Sequence, residues 1–261
     1  MNRKGFLPGC SLTSYNPDNV ALTIKYLKSV FPELSVVQKC CGKPTKAIGQ
    51  VDLFHERFDG LIDDFEDCRV DEIIVACQSC MKTLNESDVF KITSLWEIFP
   101  QIGLPPELKG KAKDSDVVFS VHDSCSVRDY HGIHDGIRWI LTELGYQFAE
   151  PERTRGNTRC CGFGGMVVPV NPDVAKRVMV RRVNDFPTVK IVTYCAACRQ
   201  SMILGGGRAW HILDLIWGDV VYASTPCPKD TLSSPLKAWG NRFKSKLLIK
   251  AAMKCCIFEY S

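Results

Sequence analysis

Fourteen cysteines occur in this chain of 261 residues, and ten of them form a pattern. Cys10, Cys40, Cys41, Cys77 and Cys80 come first, and Cys125, Cys160, Cys161, Cys195 and Cys198 repeat their order: one alone, an adjacent pair, then C-x-x-C. Corresponding members are separated by 115, 120, 120, 118 and 118 residues, and Gly42 and Gly162 each follow the adjacent pair. Cysteine sulfur ligates zinc, ligates iron–sulfur clusters and exchanges with disulfides, so several chemistries compete for these sets. Structural zinc takes four ligands, commonly from two C-x-x-C pairs, whereas each set here has five cysteines and one such pair. Adjacent side chains also diverge, which is awkward for two corners of one tetrahedron. A cluster with several iron atoms accommodates five sulfurs, one of them bridging. The residues therefore favour one iron–sulfur cluster per set, with zinc, redox dithiols and inert buried thiols as the alternatives.

The flanks of the cysteines repeat as well. FLPGCSLTSY is echoed by SVHDSCSVRDY, DEIIVACQSCMKTL by TVKIVTYCAACRQSM, and SLWEIF by HILDLIW. Such ordered agreement indicates an internal duplication of about 115–120 residues per unit. Within each unit, apolar residues recur at helical spacing: Val20, Ile24, Leu27 and Phe31 in one, Ile133, Ile137, Ile140 and Leu144 in the other. The β-branched runs at 73–76 and 191–194 read as buried strands, each leading into the first cysteine of a C-x-x-C. The second cysteine then falls about one turn into a helix, whose amino end favours thiolate over thiol. Alternating strands and helices predict an α/β fold, with two pseudo-symmetric units on mainly parallel sheets and a basic C-terminal tail. The expected boundaries are 1–104 and 115–217 for the units, a Pro-, Gly- and Lys-rich linker at 103–116, and 218–261 for the extension.

Composition narrows the setting. The hydrophobic share of 45% and charged share of 24% are those of a globular chain long enough for one large core or two modest ones. Fourteen cysteines in 261 residues fall short of the roughly 8–10% of small disulfide scaffolds, and clustered cysteines in a reducing compartment serve metal or redox chemistry. A net charge of +4 is too small and too dispersed to imply a nucleic-acid partner. No run approaches the roughly 18 apolar residues of a membrane span, and the N-terminus lacks the apolar core of a signal peptide. A cytoplasmic protein is expected.

The double pattern C…CCG…C-x-x-C resembles the cysteine-rich CCG domain family, whose members include the B subunit of heterodisulfide reductase and iron–sulfur subunits of glycolate and lactate oxidation. The resemblance covers roughly residues 5–217. It implies a noncubane 4Fe-4S cluster for each complete motif, with the adjacent pair contributing a bridging thiolate. Carried over by position, Cys10, Cys40, Cys41, Cys77 and Cys80 hold one cluster, and Cys125, Cys160, Cys161, Cys195 and Cys198 the other. It also implies an electron-donor protein, a ferredoxin or a flavoprotein, since the chain has no ferredoxin-type C-x2-C-x2-C run of its own. Two functions follow: an oxidoreductase delivering electrons to a disulfide or similar two-electron acceptor, or an electron-transfer subunit between a flavoprotein and an acceptor. No catalytic residue is assigned.

Other residues carry weaker signals. Gly42 and Gly162 suit a positive φ or a close approach to the cluster, and Gly164 and Gly165 could aim amides at sulfur. His122, three residues before Cys125, suits a proton relay or a hydrogen bond to the metal site. Arg128, Arg155 and Arg159 suit charge compensation or an anionic substrate, with solvated surface as the alternative. Cys68, Cys227, Cys255 and Cys256 lack a complete ligand set. The tail at 236–261 interleaves Lys237, Arg242, Lys244, Lys246, Lys250 and Lys254 with apolar residues, as does a helix meeting a membrane surface or a partner, or one packed on its own domain. All ten motif cysteines precede it, so removing it is expected to leave metal content intact.

Overall fold

In the first unit, β1 (Lys4–Leu7), β2 (Ser35–Gln38), β3 (Glu72–Val75) and β4 (Lys91–Ser94) alternate with helices that include Pro17–Val30, Val51–Asp67 and Gln78–Asn85. The computed structural model describes residues 3–252 and the backbone of 256–258. Every strand pairing is parallel, in the order β4-β3-β1-β2, and a later strand, β9 (Cys256–Phe258), adds to the free edge of β2. The second unit repeats the order: β5 (Val118–His122), β6 (Gln147–Ala149), β7 (Lys190–Thr193) and β8 (Arg208–His211) lie as β6-β5-β7-β8, again all parallel. The expected α/β duplication is therefore present in both sheets.

The local chemistry accounts for the elements. Every residue of β2, β3 and β7 is buried, as in strands covered on both faces by crossover helices. The helix Pro17–Val30 starts where the Asn16 side chain accepts the Asn19 amide at 3.1 Å and Pro17 fills the first turn. Val20, Ile24 and Leu27 point inward as their spacing predicts, and Ile133, Ile137, Ile140 and Leu144 do the same on the helix His131–Leu144.

Contacts divide the chain within the helix Leu95–Ile102: one unit runs up to Ile98 and resumes from Thr231, and the other is Phe99–Asp230. The segment expected as a linker belongs to the second unit, where the Gly110 and Ala112 amides donate to the Glu143 and Leu144 carbonyls. The tail takes the packed form that was one of its two expected readings. Its helix, Pro235–Ala252, lies on the helices Cys10–Tyr15 and Pro17–Val30 of the first unit. Cys255 and the side chain of Cys256 lie outside the described residues. No helix among the described residues is long and apolar enough to cross a membrane.

Candidate metal centres

Parallel order puts the carboxyl ends of neighbouring strands side by side, and ligands of open α/β sheets gather there, above all where the strand order reverses. In the first unit that reversal lies between β1 and β3. Cys10 follows β1, Cys40 and Cys41 follow β2, and Cys77 follows β3 and caps the helix Gln78–Asn85, which carries Cys80. In the second unit, Cys125 follows β5, Cys160 and Cys161 lie in the long segment after β6, and Cys195 caps the helix Ala196–Leu204, which carries Cys198. Topology alone thus brings residues up to 73 positions apart to one end of each sheet.

The thiols meet in the same order twice. Cys10 and Cys41 each hydrogen-bond with Cys40, and Cys80 lies within hydrogen-bond reach of both Cys41 and Cys77. Cys125, Cys160, Cys161, Cys198 and Cys195 repeat this chain of contacts. Donation from Cys10, then from Cys41, holds the Cys40 thiol down at about 2, helped by the Gly42 amide and the charge of Arg242. Donation to Cys40 pushes Cys41 up to about 12, and donation from Cys80 lowers Cys77 to about 7. In the second set, Cys125 and then Cys161 hold Cys160 far below the usual thiol range, and Cys161 is pushed up to about 12. None of the ten is in a disulfide, and Cys41, Cys80, Cys161 and Cys198 are buried.

Glycines shape both centres. Gly42 and Gly162 have φ of 72° and 93°. A Cβ on Gly42 would meet the Phe54 ring at 2.7 Å, and one on Gly162 would meet Met179 Cγ at 2.9 Å, so the crowding comes from helices and not from sulfur. The amides turn toward the thiols instead: the Gly42 N–H reaches Cys40, the Gly162 N–H donates to Cys160 Sγ at 3.3 Å, and the Gly164 amide also reaches the Cys160 sulfur.

Polar residues surround the second set. Arg182 Nε donates to His122 Nδ1 at 3.2 Å, so the neutral ring carries its proton on Nε2. Nε2 is buried without a hydrogen-bond partner among the described residues, and a ring nitrogen lies within 4.8 Å of both the Cys161 and Cys198 sulfurs. Desolvation holds the His122 imidazole down at about 3. A cavity of about 270 Å³ is lined by Cys160, Arg128, Arg159, Arg181 and Arg182 together with Thr158 and Val178. Arg128 is fixed there by donating from Nε and Nη2 to the Thr158 carbonyl, and Arg159 pairs with Asp185 at 2.7 Å.

The sequence profile of the cysteine-rich CCG domain matches residues 5–85 and 119–203. The chain belongs to the cysteine-rich CCG domain family. The D subunit of dihydromethanophenazine:CoB–CoM heterodisulfide reductase from Methanosarcina mazei is 25% identical over 235 residues, 83% of this chain and 56% of that protein. An uncharacterized iron–sulfur protein of Methanocaldococcus jannaschii is 27% identical over 205 residues, covering 75% and 40%. EtfAB:quinone oxidoreductase of Syntrophomonas wolfei is 26% identical over 194 residues, covering 69% and 27%. The chain thus spans from about a quarter to just over half the length of these curated relatives.

Within this CCG protein, the cysteines read from the sequence as two ligand sets gather as two sets. Cys68 caps the helix Val51–Asp67, and Cys227 donates to the Ala209 carbonyl at 3.4 Å, each outside both chains of thiol contacts. Arg155 does not line the arginine cavity and instead pairs with Asp135 at 2.5 Å. Sequence reasoning missed Arg181, Arg182 and the buried pair in which Arg138 grips Asp123 at 2.5 and 2.7 Å. Arg182 had a readable signal. It continues the buried stripe of Ala175 and Met179, an unusual place for a charged residue.

Proposed function

We propose that the chain is an iron–sulfur oxidoreductase subunit of the heterodisulfide-reductase type, with a noncubane 4Fe-4S cluster in each cysteine set. Cys10, Cys40, Cys41, Cys77 and Cys80 would hold one cluster, and Cys125, Cys160, Cys161, Cys195 and Cys198 the other. The repeated five-thiol chain carries the reading, because two units with unlike surroundings converge on one arrangement of soft donors. The residues fit the group in three respects. Five thiols exceed a zinc tetrahedron. The adjacent pair stands mid-chain, as a bridging role requires. The buried His122 Nε2–H has no other acceptor among the described residues. When bound, such clusters supply one-electron transfer.

The acceptor we assign is a disulfide or another two-electron acceptor bearing an acidic group. For a disulfide, two electrons and two protons convert the S–S bond into two thiols, and the two electrons come from two one-electron oxidations of reduced ferredoxin or from one reduced flavoprotein. Arg128 and Arg181, both exposed in the cavity beside Cys160, would orient the acidic group, because guanidinium matches carboxylate and phosphate oxygens in pairs. A second reading, an electron-transfer subunit without its own substrate, draws support from the kinship with EtfAB:quinone oxidoreductase.

Anaerobically purified protein is expected to carry about eight iron and eight acid-labile sulfide per chain. Stoichiometric zinc without sulfide would end the cluster reading. Two-electron reduction of anionic disulfides by the reduced protein, weakened about tenfold by Arg128→Ala, supports the enzyme. Clusters that cycle with a flavoprotein while every disulfide tried stays intact would leave the transfer subunit.

A further inference from the structure

The helix Pro235–Ala252 contains Lys237, Arg242, Lys244, Lys246 and Lys250 and no acidic residue. Its inner face is committed to the first unit. Ser245 and Ile249 are buried there, the Asn241 Nδ2 donates to the Ser14 carbonyl at 2.8 Å, and Gln38 Nε2 donates to the Arg242 carbonyl at 3.1 Å. The outer face is of another kind. Leu236, Trp239, Phe243 and Leu247 are 86%, 65%, 52% and 54% exposed. At about 100° per residue these four share an arc of about 80° opposite Ser245. The Trp239 and Phe243 rings stack with centroids 6.3 Å apart. Lys246 borders the stripe on one side and Lys237 on the other, Lys250 stands at its carboxyl end, and Lys244 pairs with Asp18 of the neighbouring helix at 2.6 Å.

A contiguous exposed stripe of four large apolar side chains marks a contact surface. Its border decides which. The cores of protein–protein interfaces are depleted in lysine. Helices that lie in a lipid interface combine Trp, Phe and Leu with lysines, whose long stems carry the ammonium out to the headgroups. Apolar stripe and cationic border together complement an anionic bilayer surface; the helix carries no acidic residue, and the carboxylate of the adjacent Asp18 is offset by Lys244.

We propose that the outer face of the helix Pro235–Ala252 docks in plane on an anionic lipid surface, with Leu236, Trp239, Phe243 and Leu247 entering the headgroup boundary and the lysines meeting lipid phosphates. This is peripheral attachment and is independent of what the cysteines bind. The test uses the full-length protein with vesicles of phosphatidylcholine alone or containing about 30% phosphatidylglycerol. Co-sedimentation is expected with the anionic vesicles, falling about tenfold on neutral ones or in about 0.5 M salt. Trp239→Ser with Phe243→Ser should weaken it by about tenfold. Both positions face solvent, so circular dichroism and metal content of the double variant should match the parent. Absence of the protein from every vesicle pellet, or equal sedimentation of parent and variant, would overturn the proposal. So would a self-associated parent that the same double variant makes monomeric, since a second copy would then cover the stripe.

Discussion

His122 and Leu7 hold the same place in the two units, each three residues before the lone cysteine and each the last residue of its strand. Leu7 is fully buried and offers nothing to a metal site, whereas His122 brings a buried N–H close to two sulfurs. A hydrogen bond to sulfur stabilises the reduced, more negative state of a cluster and raises its potential. Replacing His122 with leucine, the residue of the first unit, is expected to lower the potential of the second centre by about 40–60 mV, close to a tenfold change for one electron. The first centre should keep its value. Potentiometric titration followed by EPR resolves the two, and equal shifts in both would remove the assignment. The histidine was visible in the sequence as a candidate, but the tautomer was not. It depends on Arg182, 60 residues away, whose donation to Nδ1 leaves the proton on Nε2.

The turns that deliver the lone cysteines use opposite devices. Before Cys10 the chain runs through Pro8 and Gly9, and Gly9 has φ +85° with its Cβ position 2.6 Å from Cys77 Cβ. Before Cys125 it runs through Asp123 and Ser124, and a polar network fixes the turn: Asp123 accepts from Arg138 and the Arg155 amide, while Tyr194 Oη accepts the Ser124 amide. Each device gives a test. Gly9→Ala is expected to destabilise the first unit by about 3 kcal/mol, from a φ open only to glycine together with a backbone-anchored clash. Asp123→Asn removes one charge of a buried pair and is expected to cost about 3 kcal/mol in the second unit. Denaturant unfolding reads both losses. Regular elements were legible because their signals are local: the runs at 73–76 and 191–194 fall one residue from strands Glu72–Val75 and Lys190–Thr193. The Asp123–Arg138 pair was not, because it joins a strand end to the buried face of the next helix, and no spacing rule marks which acid an inward arginine will meet.

At the scale of the molecule, the duplication read from ten cysteines extends to the strand order of both sheets, and the tail is what departs from it. From the sequence the tail lay outside the repeat, so its removal was expected to leave the metal sites alone. Its packing supports a different expectation. Thr231 and Asn241 donate to the carbonyls of Ser14 and Tyr15, at the end of the helix that starts with Cys10. The Arg242 charge favours the Cys40 thiolate, and β9 pairs with β2, the strand that leads to Cys40 and Cys41. Amphipathic periodicity cannot announce such a contact, because the buried positions on this helix include Ser245 and the anchoring group is an asparagine. Deleting 231–261 is therefore expected to cost about half of the iron, all from the first centre, since a site loses metal when its ligands lose their frame. Cys41→Ser provides the reference for a chain without the first cluster, and Cys161→Ser the reference for one without the second. Truncation should match Cys41→Ser in iron, sulfide and EPR signal, and truncation combined with Cys161→Ser should leave almost no iron. Full iron content in the truncated chain would show that the first unit assembles its five thiols without the tail, and the helix would then keep only its role at the outer surface.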